Sequence, residues 1–223
     1  MVTAPVKRSI RSYVLRQGRT SPAQKRALDL LLPKYGLPFT PHPVETKTIF
    51  GRSAPVVLEV GSGMGETTAA IALANPGTDY IAVEVHGPGV GSLLKKIAEL
   101  DLKNLRVIRH DAVEVVERMI PDGTLAGLHL FFPDPWPKKR HQKRRIVQPP
   151  FAALAARKLA PGGYFHAATD WPEYAEHMDA VLSAEALLEK ASQAKDRPVT
   201  KFERRGIGLG HPVRDLLFLR RQE

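Results

Sequence analysis

Cysteine is absent from the 223-residue chain. The sequence therefore contains neither a disulfide framework nor a thiolate metal site, and this absence is compatible with the cytoplasm. The chain also contains eight histidines, but they show no metal-ligand spacing. We therefore predict no structural or catalytic metal.

A long hydrophobic run is missing as well. No continuous apolar stretch is long enough to cross a bilayer, and the N-terminus begins with charges instead of an apolar signal-peptide core. The apolar fraction of 43% and the charged fraction of 25% are those of a globular protein. We expect a soluble, cytoplasmic protein that does not bind membranes and that forms a single domain.

Acidic residues are scarce near the N-terminus, since none precedes Asp29 whereas seven cations do. A denser basic run follows a predicted strand in the middle of the chain, with the sequence KKRHQKRR at residues 138–145. A run of like charges is usually a solvated surface. However, the net charge of +10 and the position of this run at the mouth of a predicted site favour a polyanionic partner.

Strand-like and helix-like patterns alternate from residue 55 onwards. The predicted strands are 55–60, 79–85, 105–109, 126–132 and 163–168, and the predicted helices are 66–74, 88–100, 112–119, 147–159 and 173–182. Such alternation predicts a parallel sheet covered on both faces. Residues 199–204 and 216–221 predict a terminal antiparallel pair. The predicted fold is α/β, with a doubly wound, mostly parallel, seven-stranded, Rossmann-like sheet.

The N-terminal part departs from this alternation. The sequence Ser21-Pro22-Ala23-Gln24 is typical of a helix start, with an N-cap serine, a proline at the first position and a capping-box glutamine. Residues 37–54 are rich in proline and show little periodicity, so we expect a connection without helix or strand. We interpret residues 1–50 as a basic arm, a helix and a connection that pack on a domain formed by residues 51–223.

A glycine-rich turn follows the first predicted strand. Gly61, Gly63 and Gly65 alternate there, which lets the backbone adopt positive φ and approach a ligand closely. Glu59 precedes the turn. Glu84 ends the next strand 19 positions after Gly65, close to the interval of about 20 residues at which an acid binds the ribose hydroxyls of adenosine.

The details of this turn select among nucleotide cofactors. Glu66 stands where a dinucleotide-binding fingerprint would have its third glycine, and the G-K-[ST] end of a phosphate-binding P-loop is absent. Glu59 would repel a pyrophosphate but attract the ammonium and sulfonium groups of S-adenosylmethionine. The sequence therefore favours S-adenosylmethionine, although a glycine-rich turn between strand and helix can also be only a turn.

Two aspartates follow later strands of the predicted sheet. Asp111 could reach the adenine amino group from the carboxyl edge, where such folds bind ligands, but Asp is also an ordinary helix N-cap. Asp134 lies between Pro133 and Pro135, which stiffen the loop and hold the carboxylate beside the cofactor. An Asp between prolines also makes good turns, so each aspartate has a structural alternative.

Several longer motifs resemble one known family. They are LEVGSGMG at 58–65, IAVEVHGPGVG at 81–91, HDAVEV at 110–115, FFPDPWPKKRHQKRR at 131–145, TDWPEYAEHM at 169–178 and RPVTKFERRG at 197–206, together with RSYVLRQGR at 11–19. These motifs are similar to those of the bacterial tRNA (guanine-N7)-methyltransferases, which are class I S-adenosylmethionine-dependent enzymes. The resemblance covers nearly the whole chain. Pro137 departs from it, since the family often has histidine there, so no ligand role is transferred to that position.

The resemblance implies methylation of guanine N7 at position 46, in the variable loop of tRNA, with Asp134 as the catalytic residue. It implies an S-adenosylmethionine site at the glycine turn that includes Glu59, Glu84, Asp111 and Asp134. The implied substrate contacts are Lys138, Asp170, Thr200, Lys201, Phe202 and Glu203. The implied RNA contacts are Arg140, His141, Gln142, Lys143, Arg144 and Arg145.

The chemistry of the target atom limits what such a site must do. Guanine N7 has a lone pair in the ring plane and carries no hydrogen, so no general base is needed. We hypothesise that catalysis is mainly alignment, and that Asp134 stabilises the positive charge that moves from sulfur to the purine. Asp170 or Glu203 could accept hydrogen bonds from N1–H and N2–H of guanine and so reject adenine, and the sequence leaves this choice open.

Two other functions remain open at this point. A methyltransferase acting on an exocyclic amine would usually carry Asn or Asp before two consecutive prolines, whereas Asp134 has only one proline after it. A non-catalytic RNA-binding protein on the same scaffold is the other, although the intact set of acids and glycines disfavours it. Trp136 and Trp171 could each stack on an extruded base or seal the rim of the core. The oligomeric state, monomer or homodimer, is also left open.

Overall fold

One sheet of seven strands organises the chain in a computed structural model that describes residues 10–15, 19–193, 197–199, 203 and 213–222. Strands β1–β5 are parallel, whereas β7 runs antiparallel to both of its neighbours. The order across the sheet is β3-β2-β1-β4-β5-β7-β6. The strands are β1 (Val56–Val60), β2 (Asp79–Val83), β3 (Leu105–Ile108), β4 (Leu125–Phe131), β5 (Leu159–Thr169), β6 (Leu188–Lys190) and β7 (Arg214–Arg220). The predicted doubly wound, mostly parallel, Rossmann-like sheet is confirmed.

Helices cover both faces of this sheet. Within the described ranges they are α1 (Pro22–Tyr35), α2 (Thr46–Phe50), α3 (Glu66–Ala74), α4 (Gly87–Glu99), α5 (Ala112–Arg118), α6 (Pro149–Lys158) and α7 (Pro172–Ser183), with a 3₁₀ helix at Lys139–Arg144. The five helices predicted between residues 66 and 182 all form, with ends shifted by two residues or fewer. In the part of the chain that the structure describes, no helix has the length and apolar content that a bilayer crossing requires.

The N-terminal helix starts where the sequence predicts. The amide of Gln24 donates to Ser21 Oγ at 3.2 Å, and the amide of Ser21 donates to Gln24 Oε1 at 2.9 Å, so both bonds of the capping box form. The helix then joins the sheet, because the amide of Leu37 donates to the carbonyl of Val107 at 2.8 Å. The division into residues 1–50 and 51–223 stays a prediction.

The connection at 37–54 contains a helix that the sequence analysis missed. Helix α2 has five residues, fewer than two turns, so its hydrophobic pattern is too short to show a helical period. Its N-cap residue, Glu45, makes no side-chain capping bond, which removes the other usual signal. Only Gly51, which closes the helix at φ 70°, marks its end.

The terminal antiparallel arrangement is confirmed, but one of its two predicted strands is wrong. The strand beside β7 at the edge of the sheet is β6, pairing Leu188 with Arg220, and not residues 199–204. Val199 and Glu203, the two described residues of that segment, are not in a strand, and its other residues lie outside the described ranges. A three-residue strand is too short for the alternation of side chains to reveal it.

The chain order creates a cleft at one edge of the sheet. Strand β1 lies between β2 and β4, so the connections leaving β1 and β4 run to opposite sides, and α/β folds bind ligands at such a switch point. All five residues of β1 and all five of β2 are buried, since helices cover both faces. The carboxyl ends of these strands therefore meet solvent only at the cleft.

Candidate active site

The turn after β1 is held in a conformation that glycine permits. Gly61 and Gly63 have φ of 75° and 55°, in the left-handed region, as predicted. A Cβ built on either glycine would meet no atom of the described residues within 4 Å, so the backbone at both positions faces open space. The turn is therefore an open cradle of bare backbone, and the contact of a ligand with it stays a prediction.

Glu84 fixes this turn from the end of β2. Its Oε2 accepts the Gly63 amide at 2.8 Å and its Oε1 accepts the His86 amide at 2.8 Å, while the residue is only 8% exposed. A carboxylate has about four acceptor positions, so both oxygens can still accept hydroxyl donors. Helix α4 packs on the same turn, because a Cβ on Gly89 would lie 2.5 Å from the Gly63 carbonyl oxygen.

Glu59 is buried beneath the turn. Thr68 Oγ1 donates to its Oε1 at 2.9 Å, whereas Oε2 has no hydrogen-bond partner among the described residues. Burial raises the pKa of Glu59 to about 7, the Thr68 hydrogen bond partly offsets this, and the charge of Glu84 adds to the rise. A buried carboxylate oxygen without a partner, next to an open glycine turn, suits a cationic ligand group better than a phosphate.

A cavity of about 220 Å³ brings three of the predicted site residues together, namely Gly61, Glu84 and Asp134. Glu59 does not line this cavity. Ser12 and Tyr13 of the N-terminal arm also line it, and spacing arguments missed them. The only sequence signal for their position is the family resemblance of residues 11–19.

Asp111 lies beside the N-terminal arm and interacts with two neighbouring groups. Its Oδ1 accepts the Val113 amide at 2.9 Å and so caps α5, as the structural alternative predicts. Its charge also acts on the Tyr13 hydroxyl, whose pKa is raised, first by burial and then by the charge of Asp111. Asp111 therefore has a structural role as the N-cap of α5, and its contact with adenine stays a prediction.

The loop at 132–136 carries Asp134 and contains two residues with unusual backbone angles. Phe132 has φ 51° and Trp136 has φ 45°, a conformation that costs a non-glycine residue about 1–2 kcal/mol. Between them, Asp134 is exposed at the cavity. Strained residues persist only where their surroundings hold them. The loop must therefore be braced at both of its ends.

Trp136 is one of these fixed points. Its Nε1 donates to the Ser12 carbonyl at 3.1 Å, and the guanidinium of Arg144 lies 5.1 Å from its ring centroid. The arm and the basic run thus meet on this side chain. These contacts give Trp136 a packing role, while Trp171 is 38% exposed at the start of α7.

Arg145, one of the predicted RNA contacts, is buried in the structure. It is only 3% exposed, its Nε donates to the Pro135 carbonyl at 2.8 Å, and its guanidinium stacks 4.9 Å from the ring centroid of Tyr174. It also reaches Glu173 at 3.3 Å. These contacts hold the loop from within, and a contact of Arg145 with RNA stays a prediction that its burial disfavours. Its place at the end of a basic run is what made it resemble a surface cation.

The other predicted RNA contacts lie in the 3₁₀ helix after the loop. Arg140 and Lys143 are exposed, and His141, Gln142 and Arg144 are half-buried. The pKa of His141 is lowered, first by partial burial and then by the charges of the neighbouring cations. The surface of this helix therefore carries concentrated positive charge beside the cavity.

The predicted substrate contacts are only partly described. Lys138 is exposed next to the cavity loop, and Asp170 is half-buried at the carboxyl end of β5. The Glu203 side chain is 12% exposed and bonds Arg197. Thr200, Lys201 and Phe202 lie outside the described residues. Nowhere in the described ranges do three or more His, Cys, Asp or Glu side chains form a group that could hold a metal ion.

Known proteins are similar in sequence to this chain over nearly its full length. A family model described as a putative methyltransferase matches residues 53–216. The tRNA (guanine-N(7)-)-methyltransferase of Aromatoleum aromaticum is 59% identical over 219 residues, covering 96% of this chain and 85% of that protein. The enzyme of the same name from Chromobacterium violaceum is 56% identical, covering 96% and 97% of the two chains.

Solved structures share the fold at much lower identity. The 16S rRNA methyltransferase KamB superposes with a TM-score of 0.59 at 21% identity, covering 80% of this chain and 93% of that chain. Phosphoethanolamine N-methyltransferase 2 of Haemonchus contortus, solved in complex with S-adenosyl-L-methionine, superposes with a TM-score of 0.51 at 12% identity, covering 79% and 51%. These likenesses show the fold, which is that of class I methyltransferases.

Proposed function

Because the chain belongs to the tRNA (guanine-N7)-methyltransferase family, we propose that it transfers the methyl group of S-adenosylmethionine to N7 of a guanine in tRNA. One observation carries this proposal beyond the family relationship. The open glycine turn, the Glu84 carboxylate and Asp134 converge on one cavity at the switch point of the sheet, beside an exposed basic helix.

The residues at the glycine turn suit S-adenosylmethionine. Glu84 retains acceptor capacity for the two ribose hydroxyls, and the open backbone at Gly61 and Gly63 leaves room for an uncharged part of the ligand. The buried carboxylate of Glu59, beneath the turn, would attract the cationic amino acid end through its charge. When bound, the cofactor supplies an electrophilic methyl group on a sulfonium. The protein supplies its orientation.

Methyl transfer to N7 needs little acid–base chemistry from the protein. The nucleophile is a ring nitrogen with an in-plane lone pair and no proton to remove. The remaining task is to hold nucleophile, methyl and sulfur in line, and such pre-orientation can contribute about 7–11 kcal/mol to lowering a barrier. The braced loop at 132–136 and the cavity it lines support this task, because both limit how the two reagents can move.

Asp134 is assigned the catalytic role in this proposal. During transfer, positive charge leaves the sulfur and appears on the purine. A preorganised carboxylate at the cavity would stabilise that charge, more strongly once the bound tRNA excludes water. The exposure of Asp134 in the free protein suits a group that is covered only by its substrate.

Asp170 is the better candidate to read the guanine edge. Both oxygens of Glu203 already accept N–H groups from Arg197, at 2.6 and 3.3 Å. Asp170 lies half-buried at the carboxyl end of β5, on the same edge of the sheet as Asp134. We therefore expect Asp170→Asn to lose discrimination between guanine and adenine more than Glu203→Gln does, measured by competition between transcripts that differ in that base.

The tRNA would bind first through its phosphates. The exposed cations of the 3₁₀ helix lie beside the cavity, and the arm carries further cations. If about six phosphates are engaged, affinity falls roughly a thousandfold between 50 and 200 mM salt. The target at position 46 of the variable loop and action in the cytoplasm both come from the family relationship and belong to this proposal.

Nucleoside analysis provides the test. Bulk tRNA is incubated with the protein and S-adenosylmethionine labelled on its methyl group, then digested and separated. We expect the label in 7-methylguanosine. A matched transcript with 7-deazaguanosine at position 46 has a carbon in place of N7 and should accept no label. Label in a different nucleoside, such as an N-methylated exocyclic amine, would contradict the proposal.

A further inference from the structure

Arg197, which has no role in the account above, lies at the centre of a partly buried group of charged side chains. Its Nε and Nη2 donate to the two oxygens of Asp215 at 2.7 and 2.9 Å. Its Nη1 and Nη2 donate to the two oxygens of Glu203 at 2.6 and 3.3 Å. The side chain of Arg197 is only 5% exposed. One planar guanidinium thus joins two carboxylates, each through two hydrogen bonds.

The same guanidinium packs against the start of the 132–136 loop. Its Cζ lies 5.4 Å from the ring centroid of Phe131 and 5.3 Å from that of Phe132. Phe132 is the residue with φ 51° that precedes the loop's first proline. Arg197 therefore touches the strained entry of the loop that carries Asp134.

The other end of this cluster is anchored in the sheet. Asp215 pairs with Ala168 across β5 and β7, and its Oδ1 bonds Nε2 of His166 at 2.8 Å. His166 is 1% exposed. Burial raises the pKa of Asp215, but the hydrogen bonds from His166 and Arg197 outweigh this and bring the pKa below its usual range. The carboxylate stays ionised and forms a fixed point.

We propose that Arg197 is a positioning residue for methyl transfer, which fixes the 132–136 loop relative to Glu203 through its simultaneous contacts with Phe131, Phe132 and both carboxylates. The inference rests on the proposed function and deepens it. Arg197 touches no reacting atom. It sets the distance between the loop with Asp134 and the side chain of Glu203, one of the implied substrate contacts.

Arginine suits this position because of its shape. It has five N–H donors in one plane and a flat face that stacks on rings, whereas lysine has three donors around a single point. Arg197→Lys keeps the charge but cannot bond both carboxylates through two bonds each while covering two rings. The substitution therefore tests geometry with the charge held constant.

Arg220 provides a matched control. It is an arginine of β7 whose Nη1 donates to the carbonyls of Ala156 and Leu159, each at 3.0 Å. Those contacts hold helix α6 to the sheet, away from the cavity. Arg220→Lys should thus lower stability without touching the 132–136 loop.

The experiment compares these two variants with the parent. For Arg197→Lys we expect kcat on tRNA to fall by roughly 10- to 100-fold, because small misplacements of reacting groups cost factors of this size. The dissociation constant for S-adenosylmethionine should stay within about twofold, since the glycine turn is untouched. For Arg220→Lys, kcat per folded molecule should equal that of the parent.

Hydrogen exchange adds a measurement that does not depend on activity. The amides of Phe132, Asp134 and Trp136 should exchange roughly tenfold faster in Arg197→Lys and at the parent rate in Arg220→Lys. Unchanged kcat and unchanged exchange in Arg197→Lys would overturn the inference, and so would equal losses in the two variants. A parent protein that forms no 7-methylguanosine would overturn the proposed function instead, and the exchange rates would then decide the positioning role.

Discussion

The proposed site has a cofactor half and a substrate half, and the two are built in different ways. In the cofactor half, at the carboxyl ends of β1–β3, two of the three acids bond backbone amides. Glu84 accepts from Gly63 and His86, and Asp111 accepts from Val113. In the substrate half, after β4 and β5, long side chains hold the loop. Arg145 bonds the Pro135 carbonyl there, and Arg197 joins two carboxylates.

This difference determines which sequence signals reveal each half and which substitutions should impair it. A site built from backbone depends on glycine positions and on short spacings, and small changes of backbone should disturb it. A site built from side chains depends on a few buried arginines, whose loss leaves charges and carbonyls without partners. The two halves should therefore respond to different substitutions.

The largest expected effect comes from removing a brace of the substrate half. Arg145→Met leaves the Pro135 carbonyl without its partner and removes one donor from Glu173, which keeps its hydrogen bond from Gln142, and we expect a loss of about 3 kcal/mol in the free energy of unfolding. Urea denaturation measures this. Arg140→Met, on the exposed part of the same run, should change stability by less than about 0.5 kcal/mol. If Arg145→Met and Arg140→Met were equally stable and Arg145→Met bound tRNA more weakly, the result would instead indicate that Arg145 contacts RNA.

A second comparison uses glycine substitutions that disturb the backbone of the cofactor half. Gly89→Ala places a Cβ against the Gly63 carbonyl oxygen, whereas Gly91→Ala, on the same helix, places one 2.7 Å from the Gln24 carbonyl oxygen. Both should cost about 1–3 kcal/mol of stability through overpacking. Only Gly89→Ala should weaken S-adenosylmethionine binding, by roughly tenfold or more, in calorimetric titration. Equal affinities in the two variants would show that the turn tolerates the shift.

The pH dependence of cofactor binding isolates Glu59. Its pKa in the free protein is about 7, above the ordinary value of 4.5, so the carboxyl is largely neutral at pH 5.5 and ionised above pH 7. A cationic ligand binds the ionised form. The dissociation constant of S-adenosylmethionine should therefore fall roughly tenfold from pH 5.5 to pH 7.5, where an α-amino group is still mostly protonated.

Glu59→Gln is the control for this dependence. The variant has no titrating group at that position, so the slope should disappear. Stability should change in the opposite direction to binding. As pH rises from about 4.5 to 7, the unfolded chain loses the Glu59 proton while the folded protein keeps it, so the parent loses stability that Glu59→Gln retains. A slope that persists in Glu59→Gln would assign the effect to another group.

The smallest effect concerns a single exposed cation of the substrate half. Arg140→Ala should lower tRNA affinity only a few fold and reduce the slope of log affinity against log salt by about one, because one phosphate contact is lost. Filter binding at several salt concentrations measures this. An unchanged slope would show that Arg140 makes no phosphate contact with the tRNA.

Most of the fold could be predicted from the sequence, because its signals are long. Strands β1–β5 and the five helices between residues 66 and 182 each extend over enough residues for a period to appear. Helix α2 and strand β6 could not be found in this way, since they span five and three residues and are defined by their neighbours.

The same distinction holds for the site, where local contacts could be predicted and contacts between distant parts of the chain could not. The glycine turn and Glu84 could be predicted from their spacing, because the backbone contacts they make are local or between adjacent strands. The burial of Arg145 could not, since it depends on Pro135 and Tyr174 closing around a side chain that a charge count treats as exposed. The contact of Ser12 with Trp136 joins residues 124 positions apart and leaves no pattern in the sequence.

The most direct test of the account is the rate of methyl transfer in a single turnover, with S-adenosylmethionine and tRNA both saturating, in the parent protein and in Asp134→Asn. The account predicts that the rate constant falls roughly 100-fold in the variant, because a preorganised charge is lost while alignment is kept. The tRNA dissociation constant should stay within about twofold. A parent-like rate constant at saturation would contradict the assignment of Asp134 to charge stabilisation.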